Sequence, residues 1–353
     1  MKRACICLLL ILLVTYIKEG YELVTVDTIV KSSIMASLSD VAEEVAAIPL
    51  ETTDSCKLSH VRLIKRDGDN LFLVNKRQLY HFSNSGKFIN QITYCTLDHP
   101  NNILVADYVI DPVHKQLIVM DEEQNAHYYN YQGNFLGKIN LSDNRPWNSL
   151  IKLTYYDHHI WATAERTVER KEYNNQKFLE QWLYKFDTIF NEVESRKLNS
   201  VDLGRFSLNR ELCPEVAVAN EKIYVQSPSL QPEELLQDTL YLISRNKLNI
   251  TNEYSDILPL RIGSRFLVST YYNPNAANMN YTYCFDLKKN YSYNVKGGLE
   301  DNFYGTGQIA ELQAMDVHSN YYCYCKMGEE VEKAFPGRTE NDNPVLFIVK
   351  LKA

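Results

Sequence analysis

The sequence lacks the short motifs that mark the commonest catalytic centres. It has no Gly-x-Ser-x-Gly elbow to expose a serine nucleophile, no glycine-rich loop to cradle phosphates and no His-Glu-x-x-His helix. No Cys/His spacing of a zinc motif is present either, although a metal needs three or four convergent ligands. Positive charge is also short. A net charge of −7 offers no field to collect phosphates, which argues against nucleic acid and anionic membrane surfaces as partners. Glycine is sparse, with 13 residues against 25 Tyr and 13 Phe. Aromatic side chains fit a pleated, half-buried surface, so the class expected is all-β. With 45% hydrophobic and 23% charged residues the chain can build a sizeable core, and disorder is a poor description.

The one long apolar run is confined to the start. Lys2 and Arg3 precede Ala4 to Ile17, and Lys18 and Glu19 end it. That is the length of a signal-peptide core and short for a membrane span. We expect residues 1–20 to be a signal peptide or N-terminal anchor, residues 21–37 a linker, and residues 38–353 the folded domain. Any contact with a membrane would then run through the N-terminal segment. No cysteine follows the run to accept a lipid. Beyond that segment lie Cys56, Cys95, Cys213, Cys284, Cys323 and Cys325. Their even number permits disulfides, but a domain of this size does not need staples, and buried free thiols serve equally well.

What the chain does have is a repeat. From Asp67-Gly68-Asp69-Asn70 the sequence runs through a strand at Leu71 to Val74, a second at Leu79 to Phe82, a turn at Ser85-Gly86, and Lys87-Phe88-Ile89. The phrase returns as Gln116 to Met120, Ala126 to Tyr129, Gln132-Gly133 and Asn134 to Leu136, with Gly86 and Gly133 47 residues apart. Further pairs follow: Ile160 to Ala164 with Gln181 to Phe186, Lys222 to Gln226 with Thr239 to Ile243, Arg265 to Thr270 with Tyr281 to Phe285, and Tyr321 to Cys325 with Val345 to Leu351. An alternating stretch precedes the pairs, as in His60 to Lys65 and Val105 to Asp111. Four strands per unit and six units predict a six-bladed β-propeller. The last unit runs out of chain after its third strand, and Val45 to Glu51 is left over. We expect those N-terminal and C-terminal strands to pair and close the ring. Pro49 suits an edge position, because proline has no ladder donor.

Three phrases carry a resemblance: Leu38-Ser39-Asp40-Val41-Ala42-Glu43, Ile48-Pro49-Leu50-Glu51-Thr52-Thr53 and Asn341-Asp342-Asn343-Pro344-Val345-Leu346. The chain resembles the uncharacterised six-bladed propeller proteins of Bacteroidetes, relatives of the NHL-repeat propellers, over about residues 38–352. The resemblance implies export to the periplasm or cell surface and no settled activity. Many such proteins carry a lipidated cysteine after the apolar run, where this chain has Thr15 and Tyr16. Many also have a glycine-rich stretch between the first two blades, where this chain reads Tyr94-Cys95-Thr96-Leu97-Asp98-His99-Pro100.

In a blade, the turn between strands two and three opens on the same face as the connection to the next blade. Long insertions at Glu165 to Glu180, Ser227 to Asp238, Tyr271 to Asn280 and Lys326 to Asn343 are read as loops on that face, where function concentrates. Candidate ligand-binding residues there are Trp147, Arg205, Arg210, Tyr271, Tyr272, Asp301 and Tyr304. Aromatic rings among polar groups could stack on a sugar and hold its hydroxyls. Other constellations are thin. His158 and His159 are adjacent and point to opposite faces if extended, so they cannot share a metal. Asp316 with His318, and Cys323 with Cys325, can each share a face but supply two ligands only. No cofactor is expected. The expectation is a non-catalytic binding or scaffold module for a glycan, peptide or envelope partner. The alternative is a propeller hydrolase or lyase at the central channel mouth, which fold alone does not exclude.

Overall fold

The structure is a computed structural model that describes residues 22–26, 36–94, 102–143, 145–173, 175–203, 215–219, 222–229, 237–242, 246–251, 256–257, 261–262, 265–273, 279–286, 288–289, 291–315 and 320–353. Period-two alternation and tight turns decide the local structure. In the first sheet Val61–Asp67, Asn70–Asn75, Gln78–Ser83 and Phe88–Gln91 follow one another as antiparallel neighbours. The second repeats this with Val105–Asp111, Gln116–Asp121, Asn125–Asn130 and Phe135–Asn140. The third comprises Ser149–Tyr156, His159–Arg170, Gln176–Phe186 and Glu192–Asp202. The fourth comprises Glu215–Ala219, Lys222–Ser229, Gln237–Leu242 and Asn246–Thr251. In the fifth, Asp256–Ile257 and Arg261–Ile262 both pair with Phe266–Asn273, which is followed by Met279–Asp286 and Tyr291–Lys296. A short hairpin, Leu299–Asp301 with Gly307–Ile309, leads to the terminal sheet. Among the described residues helix is confined to single turns at Leu38–Val41 and Glu329–Glu332, apart from the 3-10 turn Lys171–Tyr173. The fold is all-β, and no helix among the described residues is long and apolar enough to cross a membrane.

Sheets stack face to face because their middle strands are apolar on both sides. Asn70–Asn75 and Gln116–Asp121 are buried almost end to end. Phe72, Val74 and Leu79 of the first sheet pack on Tyr108, Leu117 and Tyr129 of the second. Val109, Ile118 and Met120 of the second pack on Leu150, Ile160 and Phe186 of the third. Trp161 and Leu183 of the third then meet Val216 and Val225 of the fourth. Phe266 and Val268 of the fifth join Tyr324 and Phe347 of the terminal sheet, whose Cys323 and Leu346 pack on Leu71 and Leu73 of the first. Each fully buried side chain of this size is worth about 1.5–3 kcal/mol relative to exposure, so the layers hold one another.

The terminal sheet joins the two ends of the chain. Ala42–Pro49 runs antiparallel to Val345–Leu351, with Val45 opposite Val349 and Pro49 opposite Val345, and Tyr321–Lys326 and Gln313–Ala314 complete the sheet. Asn343, 2% exposed, fastens the seam. Its Oδ1 accepts the Leu58 N–H at 2.7 Å, and its Nδ2 donates to the carbonyls of Glu51 and Cys56. The Asn343 N–H donates to Thr52 Oγ1. Gly86 makes a second fastening. A Cβ at this position, where φ is +85°, would lie 2.3 Å from the Pro49 carbonyl oxygen, so only glycine lets the first sheet's turn approach the seam.

Two sequence expectations are corrected. Glu165 to Glu180 is a ribbon rather than a loop: the paired strands continue to Arg170 opposite Gln176, closed by a turn at Lys171–Tyr173. Ser227 and Asp238, and Tyr271, Tyr272 and Asn280, are likewise strand residues. In the Glu165 to Arg170 arm of the ribbon the side chains are half-buried or exposed, so period-two apolarity is not required there. Glu22–Val26, placed in the linker by the sequence, is a strand parallel to Asn246–Thr251 at the outer edge of the fourth sheet. Cys56, Cys284, Cys323 and Cys325 are free thiols, while Cys95 and Cys213 lie outside the described residues.

Candidate functional site

A hairpin turn fixes a candidate site among the described residues. Asp121 ends the second strand of the second sheet, Asn125 begins the third, and Glu122, Glu123 and Gln124 make the turn between them. Residues flanking such a turn face one another, and His127, two further along, shares a face with Asn125. The Asp121 carboxylate therefore accepts the Asn125 N–H at 2.8 Å and both Asn125 Nδ2 contacts, at 3.2 and 3.0 Å. His127 Nε2 reaches Asp121 Oδ2 at 2.7 Å. Burial alone would raise the Asp121 pKa, but the bonds from His127 and Asn125 outweigh it and hold the carboxyl below its ordinary value.

The turn is braced on both sides. Gln124 exchanges two hydrogen bonds with the Leu150 backbone of the third sheet, at 2.6 and 3.1 Å. Glu122 donates its N–H to the Leu104 carbonyl of the connection from the first sheet, and its carboxylate lies 2.9 Å from Arg77. Between turn and connection runs a groove of about 510 Å³, lined by Asn102, Ile103, Leu104, Asp121, Glu122, Glu123, His127 and Lys138. That volume suits a small ligand. Lys138 is the cross-strand partner of His127. Among the described residues the side chains of Glu123 and Lys138 make no ion pair or hydrogen bond, so the groove presents one unpartnered charged side chain of each sign. No group of three or more metal-ligating side chains converges among the described residues.

The residues singled out from sequence do not assemble here. Trp147 is 5% exposed, gives its indole N–H to the Leu141 carbonyl at 3.0 Å and sets its ring edge-on to Tyr184 and Phe186. Its ring belongs to the core between the second and third sheets and offers no open shelf. Asp301 is buried and caps its own turn, accepting the Phe303 and Tyr304 N–H groups and the Thr306 hydroxyl. Tyr304 packs between Phe335 and Phe347, and its hydroxyl donates to the Val45 carbonyl at 3.2 Å, bracing the terminal sheet. Tyr271 and Tyr272 sit in the fifth sheet opposite Tyr281 and Asn280. Arg205 and Arg210 lie outside the described residues. Sequence reasoning missed Asp121, Glu122, Glu123, His127 and Lys138 because it followed loop length, and this turn is short. The signal available was the run Asp121-Glu122-Glu123 followed by His127 across a tight hairpin.

The fold defines an all-β protein with β-propeller neighbours. More narrowly, the chain belongs to the family of the domain of unknown function DUF4934, which matches residues 22–255. A candidate exported protein from Bacteroides fragilis, solved as a crystal structure, is similar over 95% of this chain and 99% of its own, with TM-score 0.59 and 15% identity. The WD40 domain of Neurospora crassa Pan2 is similar over 83% of this chain and 76% of its own, at TM-score 0.43 and 9% identity. The Cps50 (Swd1) β-propeller domain of Myceliophteria thermophila is similar over 87% and 100%, at 0.44 and 9%. No curated protein matches the chain.

Proposed function

We propose that this chain is an exported, non-catalytic binding module built as a six-bladed propeller. In this reading the terminal sheet completes the ring, and a polar ligand from the cell envelope, a glycan or a peptide, seats in the groove beside the Glu122–Gln124 turn. The observation that carries the reading is the groove itself, a small-ligand volume on a braced turn at the face where the inter-sheet connection also opens. Likeness to a candidate exported protein of Bacteroides fragilis supports the location, with periplasm or cell surface as the compartment. The test is a thermal-shift screen of glycans, peptides and metabolites, since a ligand that binds only the folded state raises its melting temperature. A hit whose shift disappears in His127→Ala supports the groove. A hit unaffected by any groove substitution moves the site elsewhere.

The His127–Asp121 pair favours a second reading, in which the imidazole moves a proton during hydrolysis or elimination. Product release from a bound hit, lost in His127→Gln, would establish it in place of the binding module.

A further inference from the structure

We propose that the groove selects a zwitterionic ligand, specifically a short peptide with a free amino and a free carboxylate terminus. The proposal rests on the binding reading above and deepens it. Charged groups already held by hydrogen-bond or ionic partners in the free protein contribute little selectivity, because a ligand would have to displace a partner. Asp121 is spent on Asn125 and His127, and Glu122 on Arg77. What is left is Glu123 on the turn and Lys138 on the outer strand, each without an ionic partner among the described residues. A neutral sugar would satisfy neither charge. A simple anion would meet Lys138 but also the carboxylates, and a simple cation the reverse. A molecule carrying one charge of each sign pairs with both and brings no surplus.

The groove's remaining wall fits that chemistry. Ile103 and Leu104 give an apolar side for a short backbone or small side chains, while Asn102 supplies an amide for a peptide group. Geometry is held without the ligand: Leu104 is tied to Glu122, and Gln124 to Leu150. Lys138 is fixed at its backbone by pairing with His127. A site whose charged groups stand on braced backbone loses less entropy when it binds.

Isothermal titration with trialanine, N-acetyl-trialanine and trialanine amide tests this, because the three differ only at their ends. Trialanine is expected to bind, and each blocked form to bind about tenfold more weakly, the effect of one charge-assisted hydrogen bond. Glu123→Gln should remove the penalty for acetylation and leave that for amidation. Lys138→Met should do the opposite. Both positions are on the surface, so circular dichroism should report unchanged folding. The proposal is overturned if trialanine does not bind, or if the blocked forms bind as well as the free one. A neutral glycan that binds the groove while trialanine does not overturns the peptide assignment and leaves the binding module standing. No groove ligand of any class removes both.

Discussion

The hydroxyl of Tyr108 sits 2.8 Å from the carbonyl oxygen of Leu63, reaching from the second sheet into the first. Leu63 lies at φ +48° in a bulge where the register slips between Arg62 and Lys65, so its carbonyl has left the ladder. The same hydroxyl is 2.9 Å from the Phe72 carbonyl. Lys65 answers by donating to the Tyr108 carbonyl and standing 3.8 Å from Asp107. Two sheets are therefore clamped in both directions at one irregularity. Tyr108→Phe keeps the volume and strands buried acceptors, so it should cost about 1–3 kcal/mol. Urea denaturation should show a lower midpoint with an unchanged slope.

The seam predicts a larger loss. Asn343 contributes both donor and acceptor to Leu58, Glu51 and Cys56, all from the opposite end of the chain. Asn343→Ala should cost about 2–4 kcal/mol, because several buried backbone groups lose their partner together. Asn343→Asp should not rescue it, since a carboxylate cannot donate to the Glu51 and Cys56 carbonyls. Differential scanning calorimetry of the two variants checks both statements.

Acid should unfold the protein through its buried carboxylates. Asp121, Asp111 and Asp286 all have pKa values held below the ordinary aspartate value of 3.8; in each, burial opposes and hydrogen bonds from His127, His114 and Arg265 respectively lead the lowering. Since the folded value is the lower one, their stabilisation is complete above the unfolded pKa and is lost as pH falls through the folded value. The urea midpoint should therefore be steady above about pH 5 and decline below it. Asp121→Asn should start lower at neutral pH and decline less steeply, and a parallel decline would refute the assignment.

Cys56 should be chemically silent in the folded state. Burial pushes its thiol up to about 11, Asn343 bonding opposes that, and the Glu51 charge adds to it. The thiolate is the reactive form. Iodoacetamide at pH 8 followed by peptide mass spectrometry should find Cys56 unmodified until denaturant is added. Asn343→Ala, by opening the seam, should speed its labelling.

Much of the meander was legible because its determinants are local. Gly86 and Gly133 mark equivalent turns, and runs such as Leu71 to Val74 announce strands buried on both faces. The ribbon from Glu165 to Glu180 was misread because a strand that leaves the layers loses the apolar alternation that identifies it. Trp147 misled for the converse reason. It sits in a connection, but its ring turns inward to Tyr184 and Phe186, a contact decided by tertiary packing. The site was the least legible part, for Lys138 lies beside His127 only through strand register, and Leu104 joins them only when two sheets stack.

The pairing of Ala42–Pro49 with Val345–Leu351 also sets a timetable. With synthesis at roughly 5–20 residues per second, the first of these strands waits about 15–60 s for its partner to be made. Throughout that interval it is an apolar segment with unpaired backbone groups, a template for pairing with another chain. Pro49 and the glutamates at Glu43 and Glu44 are features that discourage such pairing. Synthesis of Val345–Leu351 thus ends this segment's period of vulnerability, and a nascent chain truncated before Val345 would be expected to need a chaperone for as long as it persists.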